Sequence, residues 1–289
     1  MILPLIRQAL REDGASRDLT SRAVLPADTR IRARILAKSP GVLAGGQVAA
    51  WVFQALDRSL RSRLAVKDGV LLRRGQTVLT VEGNARSIFA AERTALNLLG
   101  HLSGIATLTR EYVRRTQRTY AKILDTRKTL PGLRAAEKYA VRAGGGENHR
   151  DSLQDAILIK TNHIKALRLV MRSRLARERA IQVGVAGAKR VRPKRFVEVE
   201  VTTLREFEAA LEAKPHAILL DNWRLGAIRR AVRLAHASLG TRHSPLIEVS
   251  GGVTLQNVRA IATTGVDRIS IGRLTHSAPS LDMSLVVDR

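Results

Sequence analysis

Two rhythms of apolar and polar positions run along this chain, and they change near residue 120. Leu3 to Glu12 repeats apolar residues with the helical period and stops near Gly14. Asp18-Leu19-Thr20 leads into a segment read as irregular and closed by Pro26. From Arg30 to Leu36 the alternation is strict. Ile31, Ala33 and Ile35 share one face and Arg30, Arg32 and Arg34 the other, which predicts a half-buried strand. Pro40-Gly41 turns the chain, Val48 to Leu56 predicts a helix beneath the sheet, and strands near Val70-Leu72 and Thr77-Glu82 flank Arg74-Gly75. Phe89 to Arg115 is one long helical pattern, striped by Leu96, Leu99, Leu102, Ile105 and Val113. Gly100 and Gly104 interrupt that helix at a cost of about 1 kcal/mol each against alanine. Two accounts stand at this point: close approach of another backbone, or a kink.

Beyond Ala121 the pattern becomes short apolar runs alternating with helices. The runs are Lys122-Leu124, Ile157-Ile159, Phe196-Val201, Ala217-Leu220, Leu246-Val249 and Arg268-Ile271. Repeated βα units predict a parallel sheet closed, or nearly closed, into an α/β barrel. The expected division is an N-terminal α+β open-sheet domain with its linking helix over 1–115, the barrel over 116–277 and a tail over 278–289. In such barrels chemistry sits at the C-terminal strand ends, with phosphate often held by the last two loops. Asp125, Lys160, Glu200 and Asp221 each fall at or beside such an end.

Composition narrows the classes. The chain has no cysteine, which excludes disulfides, thiolate catalysis and Cys-ligated zinc. Its N-terminus becomes charged by Arg7 and does not read as a secretory signal; no run approaches a membrane span, so a cytoplasmic protein is expected. Fifty Lys and Arg against 25 Asp and Glu give a formal charge of +25, which raises polyanionic partners. The excess is spread along the chain, however, and only 3% of residues are aromatic, so the stacking platform of a single-strand binder is missing. The most basic stretch, Lys165 to Arg195, has Glu178 as its single acid and no aromatic residue. It reads as a solvated helix hairpin outside the barrel, with an RNA-binding face as the alternative.

The candidate chemistry is that of an anion site. Arg127 and Arg150 offer planar forks for carboxylates, while Lys128 and Lys160 are compact point charges. Together with His149 they suit a small molecule bearing adjacent carboxylates. Glu198 and Glu200 share one face of a strand, and Glu200 with Asp221 offers hard oxygen ligands suited to Mg²⁺. Ser250-Gly251-Gly252 and the loop from Gly272 to His276 follow the last two barrel strands and offer backbone N–H groups to a phosphate.

The stretch Asp125 to Arg150, DTRKTLPGLRAAEKYAVRAGGGENHR, resembles the signature of the quinolinate phosphoribosyltransferase family. GVLAGG, KDG, GQTVLTVEGNAR and AERTALNLLGHLSGIAT resemble further pieces of it, and the likeness runs from Asp18-Leu19-Thr20 to Leu281-Asp282. It implies a type II phosphoribosyltransferase-like barrel, with the tail returning to the N-terminal sheet. The implied reaction joins quinolinate to phosphoribosyl pyrophosphate with decarboxylation, giving nicotinate mononucleotide. By this resemblance Thr126, Arg127, His149, Arg150 and Lys160 line the quinolinate pocket and Arg93 reaches in from the second subunit of a homodimer. Lys128 lies between ring and ribose, Glu200 and Asp221 hold Mg²⁺ and face the ribose, and Ser250, Gly251, Gly252, Gly272 and His276 bind the 5′-phosphate. One departure stands out. The family usually carries an acid after the lysine, in IKDNH, where this chain has Thr161 in ILIKTNHI. An altered-substrate relative on the same scaffold is the alternative, and it should lack part of the dicarboxylate clamp.

Overall fold

In β1 (Arg30–Ala37) the side chains of Ala33, Ile35 and Ala37 are fully buried while Arg30 and Arg32 are exposed. The arginine alternation thus does what period two demands, one face to a core and one to water. The computed structural model describes residues 2–171, 176–191, 193–237 and 244–288. They group into two compact units. One comprises Met1–Glu111, Lys128–Gly146 and Arg273–Arg289; the other comprises Tyr112–Arg127 and Glu147–Gly272.

The first unit opens with α1 (Leu3–Glu12) and α2 (Leu19–Val24), continues through β1, β2 (Gly41–Val42), α3 (Gly46–Leu56), β3 (Arg61–Leu64), β4 (Leu71–Leu72) and β5 (Thr77–Asn84), and enters the long α4 (Ala85–Arg115). Helix α2 replaces the irregular segment expected there. Asp18 is its N-cap, and its carboxylate accepts the Ser21 N–H at 3.2 Å, a local start signal that hydropathy does not carry. The main sheet runs β12-β1-β5-β3, antiparallel in every pair, where β12 (Met283–Val287) is the last strand of the chain. The strand near Val70-Leu72 does not join that sheet but pairs as β4 with β2. Strand β3 had no clear pattern, because Arg61, Arg63 and Leu64 are exposed on an edge.

Gly100 and Gly104 are explained by close approach. A Cβ on Gly104 would lie 2.1 Å from the Pro279 carbonyl oxygen, and one on Gly100 would lie 2.8 Å from that of Leu281. The kink is not required.

The second unit holds the parallel sheet. Its strands are β6 (Lys122–Leu124), β7 (Ala156–Ile159), β8 (Phe196–Val201), β9 (Ala217–Asp221), β10 (Leu246–Ser250) and β11 (Arg268–Ser270), in the order β6-β11-β10-β9-β8-β7. Between β6 and β7 the chain passes through α5 (Arg134–Ala143). The sheet is strongly curved. Arg268 on β11 and Phe196 on β8 are three strands apart, about 14 Å in a flat sheet, yet the guanidinium carbon lies 5.1 Å from the ring centroid. Val197, Val199 and Val201 are buried on the other face of β8.

Helices α6 (Thr161–Val170), α7 (Arg177–Lys189), α8 (Leu204–Ala213), α9 (Leu225–Ala237) and α10 (Val258–Ala262) connect the strands, and α11 (Arg273–His276) follows β11. The basic stretch forms α6 and α7, with residues 172–175 and 192 outside the described ones. Helix α7 packs on α8, where Arg177 pairs with the buried Glu206 at 2.7 Å and Lys189 donates to the Ala213 carbonyl. Part of its basic charge is therefore spent on the scaffold. Among the described residues no helix is long and apolar enough to cross a membrane.

Candidate active site

The candidate side chains of the second unit lie at the C-terminal ends of its strands. Asp125, directly after β6, is fully buried and serves as the anchor of the next loop. Its carboxylate accepts the His149 N–H at 2.9 Å and an N–H from the Asn148 side-chain amide. The motif's acid thus fixes where the motif's histidine stands.

His149 then points into a buried acidic pair. Its Nε2 is 3.0 Å from Glu198 Oε2 on β8 and 3.4 Å from Glu248 Oε1 on β10. The Arg150 N–H donates to Nδ1 at 2.8 Å, which places the ring proton on Nε2. The carboxylates also favour a second proton. Burial opposes the cation, but hydrogen bonds and charges from Glu198 and Glu248 outweigh it and raise the His149 pKa to about 9. Imidazolium and the Arg150 amide bond are alternatives, since a protonated Nδ1 cannot accept. In both, Nε2–H faces Glu198. Burial pushes the Glu198 carboxyl up, the His149 hydrogen bond pulls it back, and the Glu248 charge adds to the rise.

Two guanidiniums share the mouth. Burial lowers the Arg150 pKa and the nearby Arg127 charge lowers it further. Arg150 is held by the Ala156 carbonyl at 2.9 Å, whereas Arg127 Nε is buried without a hydrogen-bond partner. Like charges held together with an orphaned donor call for an anion. Lys160, exposed at the end of β7, is the N-cap of α6.

Glu200 and Asp221 end β8 and β9. Thr161, the first residue of α6, donates to Glu200 Oε1 twice, from its N–H at 3.0 Å and its hydroxyl at 2.6 Å. Asp221 accepts from the Asn222 side-chain amide at 3.1 Å. Asn222 is left-handed, with φ 59°, and its side chain covers Gly251 so closely that a Cβ there would lie 2.3 Å from Oδ1. Gly251 and Gly252 are also left-handed, with φ 83° and 61°, and Asn257 Nδ2 donates to the Gly252 carbonyl at 2.9 Å. Ser250 leads into this turn and Gly272 follows β11.

Three of the sequence-predicted residues belong to the first unit. Arg93 is exposed on α4 and lines a cleft of about 320 Å³ with Asn97, Gly100 and Asp282. Lys128 and His276 are tied together through a neighbour, because the Thr275 hydroxyl donates to the Lys128 carbonyl at 2.6 Å.

The compact three-ligand cluster among the described residues is His149, Glu198 and Glu248, whose donor atoms lie within 4.8 Å of one another. The imidazole Nε2–H lies between these carboxylates and pairs with Glu198 Oε2, while Glu198 Oε1 and both oxygens of Glu248 are buried without a hydrogen-bond partner among the described residues. Glu200 and Asp221 carry the hard oxygens that suit Mg²⁺, and no protein donor among the described residues reaches Glu200 Oε2.

Comparison with known proteins fits this arrangement. Residues 18–103 match the N-terminal domain, and residues 105–286 the C-terminal domain, of quinolinate phosphoribosyl transferase. The chain belongs to the quinolinate phosphoribosyltransferase family. A nicotinate-nucleotide pyrophosphorylase (carboxylating) of Mycobacterium leprae is 43% identical over 97% of this chain and 95% of its own. A probable enzyme of the same name from Bacillus subtilis is 41% identical over 98% and 92%. The solved nicotinate-nucleotide pyrophosphorylase of Francisella tularensis superposes with a TM-score of 0.89 at 38% identity, covering 99% of this chain and 96% of that one.

The sequence places Asp125 at a strand end but does not show that it anchors His149, nor that Glu198 and Glu248 meet at that ring. The available signal was charge inside an apolar strand: Glu248 interrupts LIEVS, and Glu198 repeats two positions before Glu200.

Proposed function

We propose that this chain transfers the phosphoribosyl group of phosphoribosyl pyrophosphate to quinolinate, with loss of CO₂, giving nicotinate mononucleotide and pyrophosphate in de novo NAD biosynthesis. The carrying observation is Arg127 Nε, buried and unpartnered, beside an Arg150 whose pKa is lowered by burial and then by the Arg127 charge. Adjacent carboxylates on one ring would relieve that repulsion bidentately. His149, drawn toward the cationic state by Glu198 and Glu248, and Lys160 complete the clamp.

In this reading the ring nitrogen forms a bond to ribose C1 as the C1–O bond to pyrophosphate breaks. Glu200 and Asp221 favour the positive charge that develops on the ribose, an effect of fixed charges. The ring carbon–carboxylate bond then breaks, and Lys128 with the guanidiniums stabilises the negative charge left at C2 until it takes a proton. Ser250, Gly251, Gly252, Gly272 and His276 hold the 5′-phosphate. Glu200 and Asp221 would hold Mg²⁺, which would supply neutralising charge for the diphosphate. The reading also includes a cytoplasmic homodimer, with Arg93 supplied to the neighbouring subunit; its exposure on α4 supports this.

The test is turnover by purified protein with quinolinate, phosphoribosyl pyrophosphate and Mg²⁺, following nicotinate mononucleotide by mass. Product from quinolinate, absent with nicotinate and lost in Lys128→Ala, is expected. A folded protein that makes none overturns the proposal.

A further inference from the structure

Glu200 does not stand free at the end of β8. Both of its protein donors come from one residue, and both reach the same oxygen: the Thr161 N–H at 3.0 Å and the Thr161 hydroxyl at 2.6 Å, each to Oε1. Thr161 is the first residue of α6, so its N–H is one of the donors that a helix start leaves without an intrahelical acceptor. Glu200 therefore caps α6 from a neighbouring strand, at the positive end of the helix. The side chain is half-buried, and Oε2 has no protein donor among the described residues. Charge-assisted hydrogen bonds are the stronger class, and two of them on one oxygen fix which way the carboxylate turns.

We propose that Thr161 is a positioning residue for Glu200. It commits Oε1 to the start of α6 and leaves Oε2 as the single oxygen turned to the ribose and its cation, so that the hydroxyl at position 161 sets both the orientation and the denticity of the acid. This inference rests on the phosphoribosyl-transfer reading for the role of Glu200, but the hydrogen-bond pair on which it stands does not. Valine at 161 has the shape of threonine without its donor, leaving only the backbone N–H on Oε1 and freeing the carboxylate to rotate. Serine keeps the donor.

The experiment compares wild type, Thr161→Val and Thr161→Ser in two measurements. In turnover, Thr161→Val is expected to lose roughly ten-fold in kcat, while KM for quinolinate stays within about two-fold, because the carboxylate clamp is untouched. Thr161→Ser should recover most of kcat. In the second measurement Mn²⁺ alone is titrated and followed by electron paramagnetic resonance. Thr161→Val should bind it several-fold more weakly and Thr161→Ser like wild type. Wild type that does not turn over sinks the functional reading, and the Mn²⁺ titration then decides the role of Thr161 by itself. An active wild type with Thr161→Val equal to it in kcat and Mn²⁺ binding overturns the inference. So does equal loss in both variants, which would mean that the fold, and not the hydroxyl, is responsible.

Discussion

Glu198 Oε2 lies 3.0 Å from His149 Nε2, with the glutamate side chain 1% exposed and the imidazole 12% exposed. An acid this deep is held there by the ring, and the ring is drawn toward the cationic state by the acid. Their partnership links β8 to the loop that Asp125 anchors, so the cationic mouth rests on a buried anionic floor completed by Glu248.

That partnership makes a pH prediction. His149 should titrate near pH 9 instead of near its ordinary value of 6.5. The sign follows from linkage: a pKa raised on folding contributes stability that is complete below about 6.5 and is lost as pH rises through about 9. Nitrogen NMR of the imidazole checks the titration, and urea denaturation from pH 6.5 to 9.5 should show stability falling by on the order of 2 kcal/mol. Glu248 also raises the value, so Glu198→Gln should lower the His149 pKa without restoring it fully. A ring that titrates near 6.5 in wild type would remove the argument.

The guanidinium pair makes the second. Lysine at 150 keeps a charge but loses the fork, so Arg150→Lys should cost roughly 100-fold in kcat/KM for quinolinate. Most of that loss should appear as KM. Steady-state kinetics with quinolinate varied at saturating phosphoribosyl pyrophosphate measures it, and a loss confined to kcat would contradict a binding role for Arg150.

Much of this was legible because the two periods are clean. Arg30 to Leu36 alternates and folds as β1, and the apolar runs at Lys122, Phe196, Ala217, Leu246 and Arg268 all became strands of the parallel sheet. The cationic site residues stood out because charge at a strand end has no packing reason to be there. What escaped was long-range or capping in nature. Asp18 starts a helix through one side-chain hydrogen bond, and β3 is an edge strand with three exposed residues. Glu248 has its meaning only from His149, far away in the chain. The substitution at Thr161 was visible as a departure, but its partner on β8 was not.

Asp125 carries the third prediction, on stability and activity together. It is fully buried, and the His149 N–H at 2.9 Å depends on it. Asp125→Ala leaves buried donors unsatisfied and should cost about 2–3 kcal/mol in denaturant unfolding, with a fall in kcat/KM beyond what lost stability explains. Asp125→Asn retains an acceptor for that N–H and should be milder in both. If alanine and asparagine behave alike, the hydrogen bonds are not what anchors the loop.

The last prediction separates close approach from helix propensity. Alanine normally stabilises a helix interior relative to glycine by about 1 kcal/mol. Gly187, in α7, has open space where a Cβ would go. Gly187→Ala should therefore be neutral or raise stability by up to that amount. Gly104 sits in α4 against the Pro279 carbonyl, 2.1 Å from where its Cβ would stand, and that neighbour is backbone, which cannot rotate away. Gly104→Ala should lose about 2–3 kcal/mol, because the segment Pro279 to Leu281 must lift from the helix and Leu281 N–H donates to the Gly100 carbonyl at 2.9 Å there. Urea unfolding of the two variants beside wild type decides it. Opposite signs are expected, and a Gly104→Ala protein as stable as Gly187→Ala would mean that the contact between this helix and the chain's end yields more easily than a packed backbone should.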